Sequence, residues 1–150
     1  MIKTITVKEK NVIGYEFNTS CGGRITVGIK YIEEDRQDKI RQECQEPIKG
    51  RKLRFNNRLY KRMIAREAIE YIKDATYQDI NFITEPSVQV VLDPGKTWTD
   101  TVECDDEVKE FIIANMIEDF SNFVMEACAD VETFQKKAAA REMQNLKSGS

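Results

Sequence analysis

Histidine is absent from all 150 residues, so the side chain that most often serves as general base, zinc ligand and neutral-pH proton switch is missing. The other reactive groups are scattered. Cys21, Cys44, Cys104 and Cys128 stand 23, 60 and 24 positions apart, with no C-x-x-C pair to seed a metal site. The one double glycine, Gly22-Gly23, matches neither the P-loop nor the dinucleotide-binding spacing that cradles phosphates. Glu33 and Glu34, like Asp105 and Asp106, are adjacent carboxylates that point apart on a helix, and acids at a helix start are explained by capping. The expectation is a chain with no metal, no cofactor and no catalytic residues, which is not an enzyme.

Binding, by contrast, has two candidate constellations. From Lys49 to Lys73 nine basic residues face only Glu67 and Glu70. Arg51, Lys52, Arg54, Arg58, Lys61, Arg62 and Arg66 form a patch that could track a phosphate backbone, with Tyr60 available for stacking. A solvated or subunit-pairing face predicts the same residues. From Asp74 to Asp119 twelve acids face Lys96 and Lys109, and the chain as a whole carries a net charge of −3, which argues against a dedicated nucleic-acid binder. Opposite halves could attract within a fold or between subunits. The second constellation is apolar: Phe111, Ile112, Met116, Phe120, Phe123, Val124 and Phe134 recur at helical spacing. Such a stripe builds a core, or an adaptable groove for helical partners.

These groups need elements to hold them. At 41% hydrophobic and 33% charged with 7 Gly and 3 Pro, the composition excludes collagen-like and disordered classes and fits one α+β domain over 1–150. Ile13, Tyr15 and Phe17 alternate with polar or small residues, as do Ile25, Val27, Ile29 and Tyr31, which predicts two half-buried strands joined at Gly22-Gly23. Ile5 and Val7 could supply a third strand, so 1–32 reads as a hairpin or small antiparallel sheet. A helix pair follows over 33–74, the first helix ended by Pro47 and the second capped by Asn56 or Asn57 and running to Asp74. The stretch 75–104 reads as irregular, with one strand at Val88, Val90 and Leu92, and with Trp98 as a buried anchor. Long C-terminal helices occupy 105–147, with a break near Asp119 and Ser121, before a frayed tail over 148–150. The first residues, MIKTITVKEK, hold no signal-like apolar run, and no segment is apolar enough to span a membrane, which places the expected chain in the cytoplasm with reduced thiols.

The order of these pieces is similar to a known family. A hairpin running into TVGIKYIEEDRQDKI, a helix pair, a short apolar linker, then EVKEFIIANMIEDFSNFVMEACADVETF and EMQNLKSG resembles the tail assembly chaperones of long-tailed phages and prophages. The similarity covers about Arg24 to Gly149 and is clearest in the D-F-x-x-F spacing of Asp119, Phe120 and Phe123. The resemblance implies a non-enzymatic factor of the bacterial host cytoplasm. It would bind the hydrophobic helical tape measure protein, bring tail tube subunits to it and self-associate. A structural component of the virion, and a small nucleic-acid-associated protein using the basic helix, are the alternative readings.

Overall fold

The first hairpin forms as its alternation requires. In the computed structural model, which describes residues 12–48, 50 and 52–148, β1 (Val12–Asn18) pairs antiparallel with β2 (Arg24–Lys30), Tyr15 opposite Val27 and Phe17 opposite Ile25. Gly22 takes φ +87° in the turn, a conformation that costs glycine no steric strain. The proposed strand at Ile5 and Val7 lies outside the described residues.

The third strand comes from elsewhere. The helix expected to run from Asn57 to Asp74 stops early: α2 is Asn57–Ala68, and Ile69–Lys73 forms a strand antiparallel to β2. A run such as Ile69-Glu70-Tyr71-Ile72 fits helix and strand periodicity equally. The unpaired edge of β2 decides, because pairing satisfies both backbones and buries Ile69 and Ile72 against the core. Asp74, at φ +61°, ends the strand.

The connector expected between the two helices is a second hairpin. After α1 (Glu34–Glu43), which buries only Ile40, strands β3 (Gln45–Ile48) and β4 (Lys52–Phe55) pair around Gly50 at φ +86°. The helix ends before Pro47, which sits inside β3. Asn56 caps α2, its side chain accepting from the Leu59 N–H at 3.0 Å. The strand in Ile69–Lys73 is β5, and the larger sheet has the order β1-β2-β5.

The irregular stretch holds a helix, α3 (Tyr77–Ile83), and no ladder. Thr76 and Asp79 close a reciprocal capping box at its start. Val88, Val90 and Leu92 do alternate in exposure with Gln89 and Val91, yet the segment lies across the surface and pairs with no strand. Trp98 is 42% exposed rather than buried. Its carbonyl, accepting from the Gln78 N–H at 3.0 Å, ties the loop to α3.

Three helices complete the chain: α4 (Asp106–Asn115), α5 (Glu118–Cys128) and α6 (Val131–Ser148). Asp105 caps α4. The break falls at Met116-Ile117, ahead of Asp119, and the Ile117 N–H is taken up by the Ile83 carbonyl at 2.9 Å. α5 packs against α2 and against β1 and β2, and the aromatic residues of α5 and α6 explain themselves there. Phe17 meets Phe120 edge-on at 5.3 Å and Phe123 at 5.0 Å, while Tyr15 and Tyr31 lie 6.5 and 5.4 Å from Phe134. Each large side chain buried in this way contributes about 1.5–3 kcal/mol. The result is a helix-rich α+β domain.

Candidate interaction surfaces

The aromatic stripe is spent on the core. Ile112, Phe120, Val124 and Phe134 are at most 3% exposed, and Met116 is buried beside them. Phe123 is half-buried in the ring cluster with Tyr15 and Phe17. Ile112, Phe120, Val124 and Phe134 present no face that a partner could grip without first opening the fold. Of the seven expected partner-binding residues, Phe111 lines one open groove and Met116 the wall of another, beside Asn57, Arg58, Lys61 and Glu118.

The groove at Phe111, of about 330 Å³, lies between α3, the 89–93 segment and the first turns of α4. Ile80, Val90, Val102, Val108 and Phe111 make its apolar wall, and Val91, 74% exposed, stands at its mouth. Asp93 and Glu107 lie on the rim. The Tyr77 hydroxyl donates to Asp93 at 2.8 Å, and that bond pushes the phenol pKa above its usual value. Glu107 has no side-chain partner among the described residues. Phe82 on α3 and Trp98 in the loop bonded to it are 39% and 42% exposed and do not line the groove.

The basic patch divides between two elements. Lys52 and Arg54 lie on β4, whereas Arg58, Lys61, Arg62 and Arg66 lie on α2; Arg51 is outside the described residues. Several of these cations are already engaged. Arg66 pairs with Glu110 at 2.7 Å, Lys61 donates to Asn122 at 2.9 Å, and Arg54 lies 3.6 Å from Glu46. The Glu110 carboxyl is held below its usual pKa by the Arg66 bond. Burial, with Arg58 and Arg66 adding repulsion, lowers the Arg62 pKa. Part of the patch therefore clamps α2 to α4 and α5.

The β3–β4 hairpin went unrecognised in the sequence, although Lys52-Leu53-Arg54-Phe55 alternates with period two beside Gly50. Pro47 opposes Leu53 and Gln45 opposes Phe55, so these four share one face, and Glu46, Arg54, Ile48 and Lys52 share the other. Leu53 is 63% exposed. Phe55 leans on Tyr60 with ring centroids 5.5 Å apart, which anchors the base of the arm.

Neither surface carries a reactive set. Among the described residues no three His, Cys, Asp or Glu side chains come together to hold a metal, and no helix is long and apolar enough to cross a membrane. No protein-family model, curated protein or solved structure matches the chain.

Proposed function

We propose that this chain is a non-enzymatic assembly factor of the phage tail assembly chaperone kind. It holds hydrophobic helical tail proteins, the tape measure and the tail tube subunit, during morphogenesis in the host cytoplasm. The observation that carries the reading is the acid-rimmed apolar groove of Phe111, Val108, Val102 and Val90. A groove of this kind takes the apolar face of a helix, and its acids favour a client with flanking Lys or Arg. The resemblance of Arg24 to Gly149 to those chaperones supplies the identity of the client.

The experiment is co-expression with the genes flanking its own, purification at moderate salt and mass spectrometry of what is retained. The expected result is a long helical protein or a tube subunit, lost on Val91→Glu, a substitution at an exposed position of the groove mouth. Capture undiminished in folded V91E moves the site elsewhere. Retention of nucleic acid alone, released steeply by salt, favours the basic helix instead.

A further inference from the structure

We propose that residues 88–93 are a strap that closes the α3–α4 groove in the free protein and swings aside when a client enters, so that the chain restrains its own binding site. The inference rests on the groove reading above and adds its regulation. The groove's volume, about 330 Å³, lies at the lower end of the roughly 300–1,000 Å³ that hold a small molecule. A helix with its side chains is about 10–12 Å across, so a wall has to move before a helix face can seat. Two walls are fixed, because Ile83 on α3 and Ile112 and Ile113 on α4 are buried in the core. The remaining wall is Gln89, Val90, Val91 and Asp93.

That wall is held by little. Among the described residues no hydrogen bond reaches the backbone of 89–92, and Val90 is the one side chain of the strap packed against the core. The Tyr77 hydroxyl, donating to Asp93 at 2.8 Å, is the one side-chain bond that ties the strap to α3 among those residues. The ends, by contrast, are pinned. The Val88 N–H bonds the Glu85 carbonyl at 2.9 Å, and the Glu85 N–H bonds the Asn115 carbonyl at 2.8 Å. At the other end the Lys96 N–H bonds the Asp93 carbonyl at 3.0 Å across Gly95, whose φ is +78°. A short segment with fixed ends and an unbonded middle opens locally without unfolding the rest. As it swings, Val90 leaves the groove while Val91, 74% exposed, stays at the rim. Val90 therefore stands where an apolar side chain of a client would, as a cover over the seat formed by Ile80, Val102, Val108 and Phe111. Apparent affinity is then the affinity of that seat reduced by the fraction of molecules that are open.

Nile red, a neutral apolar dye, tests the strap with no client present, because a fixed wall and a movable cover predict opposite signs. In a fixed wall Val90→Ala removes apolar lining and weakens dye binding. In a movable cover the same substitution loosens the strap and strengthens dye binding about fivefold. Tyr77→Phe and Asp93→Ala, which remove the latch from its two sides, are each expected to raise dye affinity by a similar factor of about five, as loss of one net hydrogen bond in the closed state requires. Urea midpoints verify that the three variants are folded. Val108→Asp, added to each, is expected to cancel the gain, since Val108 belongs to the seat. Dye affinity that falls in V90A, stays unchanged in Y77F and D93A, or rises but survives Val108→Asp overturns the strap. Client capture separates the two readings. Tail proteins retained by wild type without any gain in the dye series remove the strap and leave the function, whereas the dye gain with no tail protein retained leaves the strap and removes the function.

Discussion

Thr19 and Asp79, 60 residues apart, meet beneath the turn of the first hairpin, where the Thr19 hydroxyl donates to Asp79 Oδ1 at 2.9 Å. The same hydroxyl accepts the Gly23 N–H at 3.0 Å, and Asp79 Oδ2 accepts the Thr76 N–H at 3.1 Å. One buried carboxylate thus joins the sheet to the start of α3. Gly23 is required beside it, since a Cβ there would sit 1.9 Å from Asp79 Oδ1.

Asp79→Ala is therefore expected to lower stability by about 2–4 kcal/mol, through the lost carboxylate half of the capping box and the lost charge-assisted bond from Thr19. Urea denaturation measures it. A loss under about 0.5 kcal/mol, the range of ordinary surface changes, would show that the junction contributes nothing.

A second expectation concerns Tyr71, which lies across Gly28 on the neighbouring strand. A Cβ at Gly28 would fall 2.3 Å from the ring, so Gly28→Ala displaces the tyrosine at a cost of about 1–3 kcal/mol. In a Tyr71→Ala background the same substitution should cost far less. Equal costs in both backgrounds would reject the contact as the cause.

Phe120→Ala should cost about 3–5 kcal/mol, since the ring is wholly buried against Phe17 and Phe123. Leu53→Ala, on the exposed arm, should change stability by less than about 0.5 kcal/mol. Thermal unfolding of the two variants decides. Client capture lost in F120A would report a damaged fold, whereas capture tested in V91E reports the groove.

Burial pushes the Cys128 thiol up to about 11 from 9.0, and burial with the Asp105 charge does the same at Cys104. Thiolate at pH 8 is then about a hundredfold scarcer than in the unfolded chain, so both residues should resist iodoacetamide until urea is added. The sign for stability follows from the raised native pKa. Below about pH 9 the contribution is complete; as pH climbs from about 9 to 11 the unfolded chain sheds protons that the folded chain keeps, and stability falls. For Cys128 the loss is at most about 3 kcal/mol. Cys128→Ala should flatten that alkaline decline in a pH series of urea midpoints.

Much of the architecture is legible in single stretches of sequence. Alternation in Ile13-Tyr15-Phe17 and Ile25-Val27-Ile29 sets the first hairpin, and the spacing from Val108 to Phe134 sets the C-terminal helices. The Thr76-x-x-Asp79 capping signal for α3 is also present in the sequence. Its short length hides it, as does the reading of its surroundings as loop. The stretch Ile69–Lys73 is different in kind, because its own residues allow helix or strand and the free edge of β2 selects between them.

The candidate site divides along the same line. Residue types alone determine that no histidine chemistry operates here and that charge is polarised between the 49–73 and 74–119 stretches. Which apolar residues remain available to a partner is a property of the assembled fold. Phe120 and Phe134 vanish beneath Phe17, Tyr15 and Tyr31, while Val91 and Leu53, less conspicuous in the sequence, stay in solvent. Periodicity reports that a side chain is apolar and which side of its helix or strand it occupies. Only the packing of one element on another removes that side from water, and this competition for burial leaves the groove and the arm exposed.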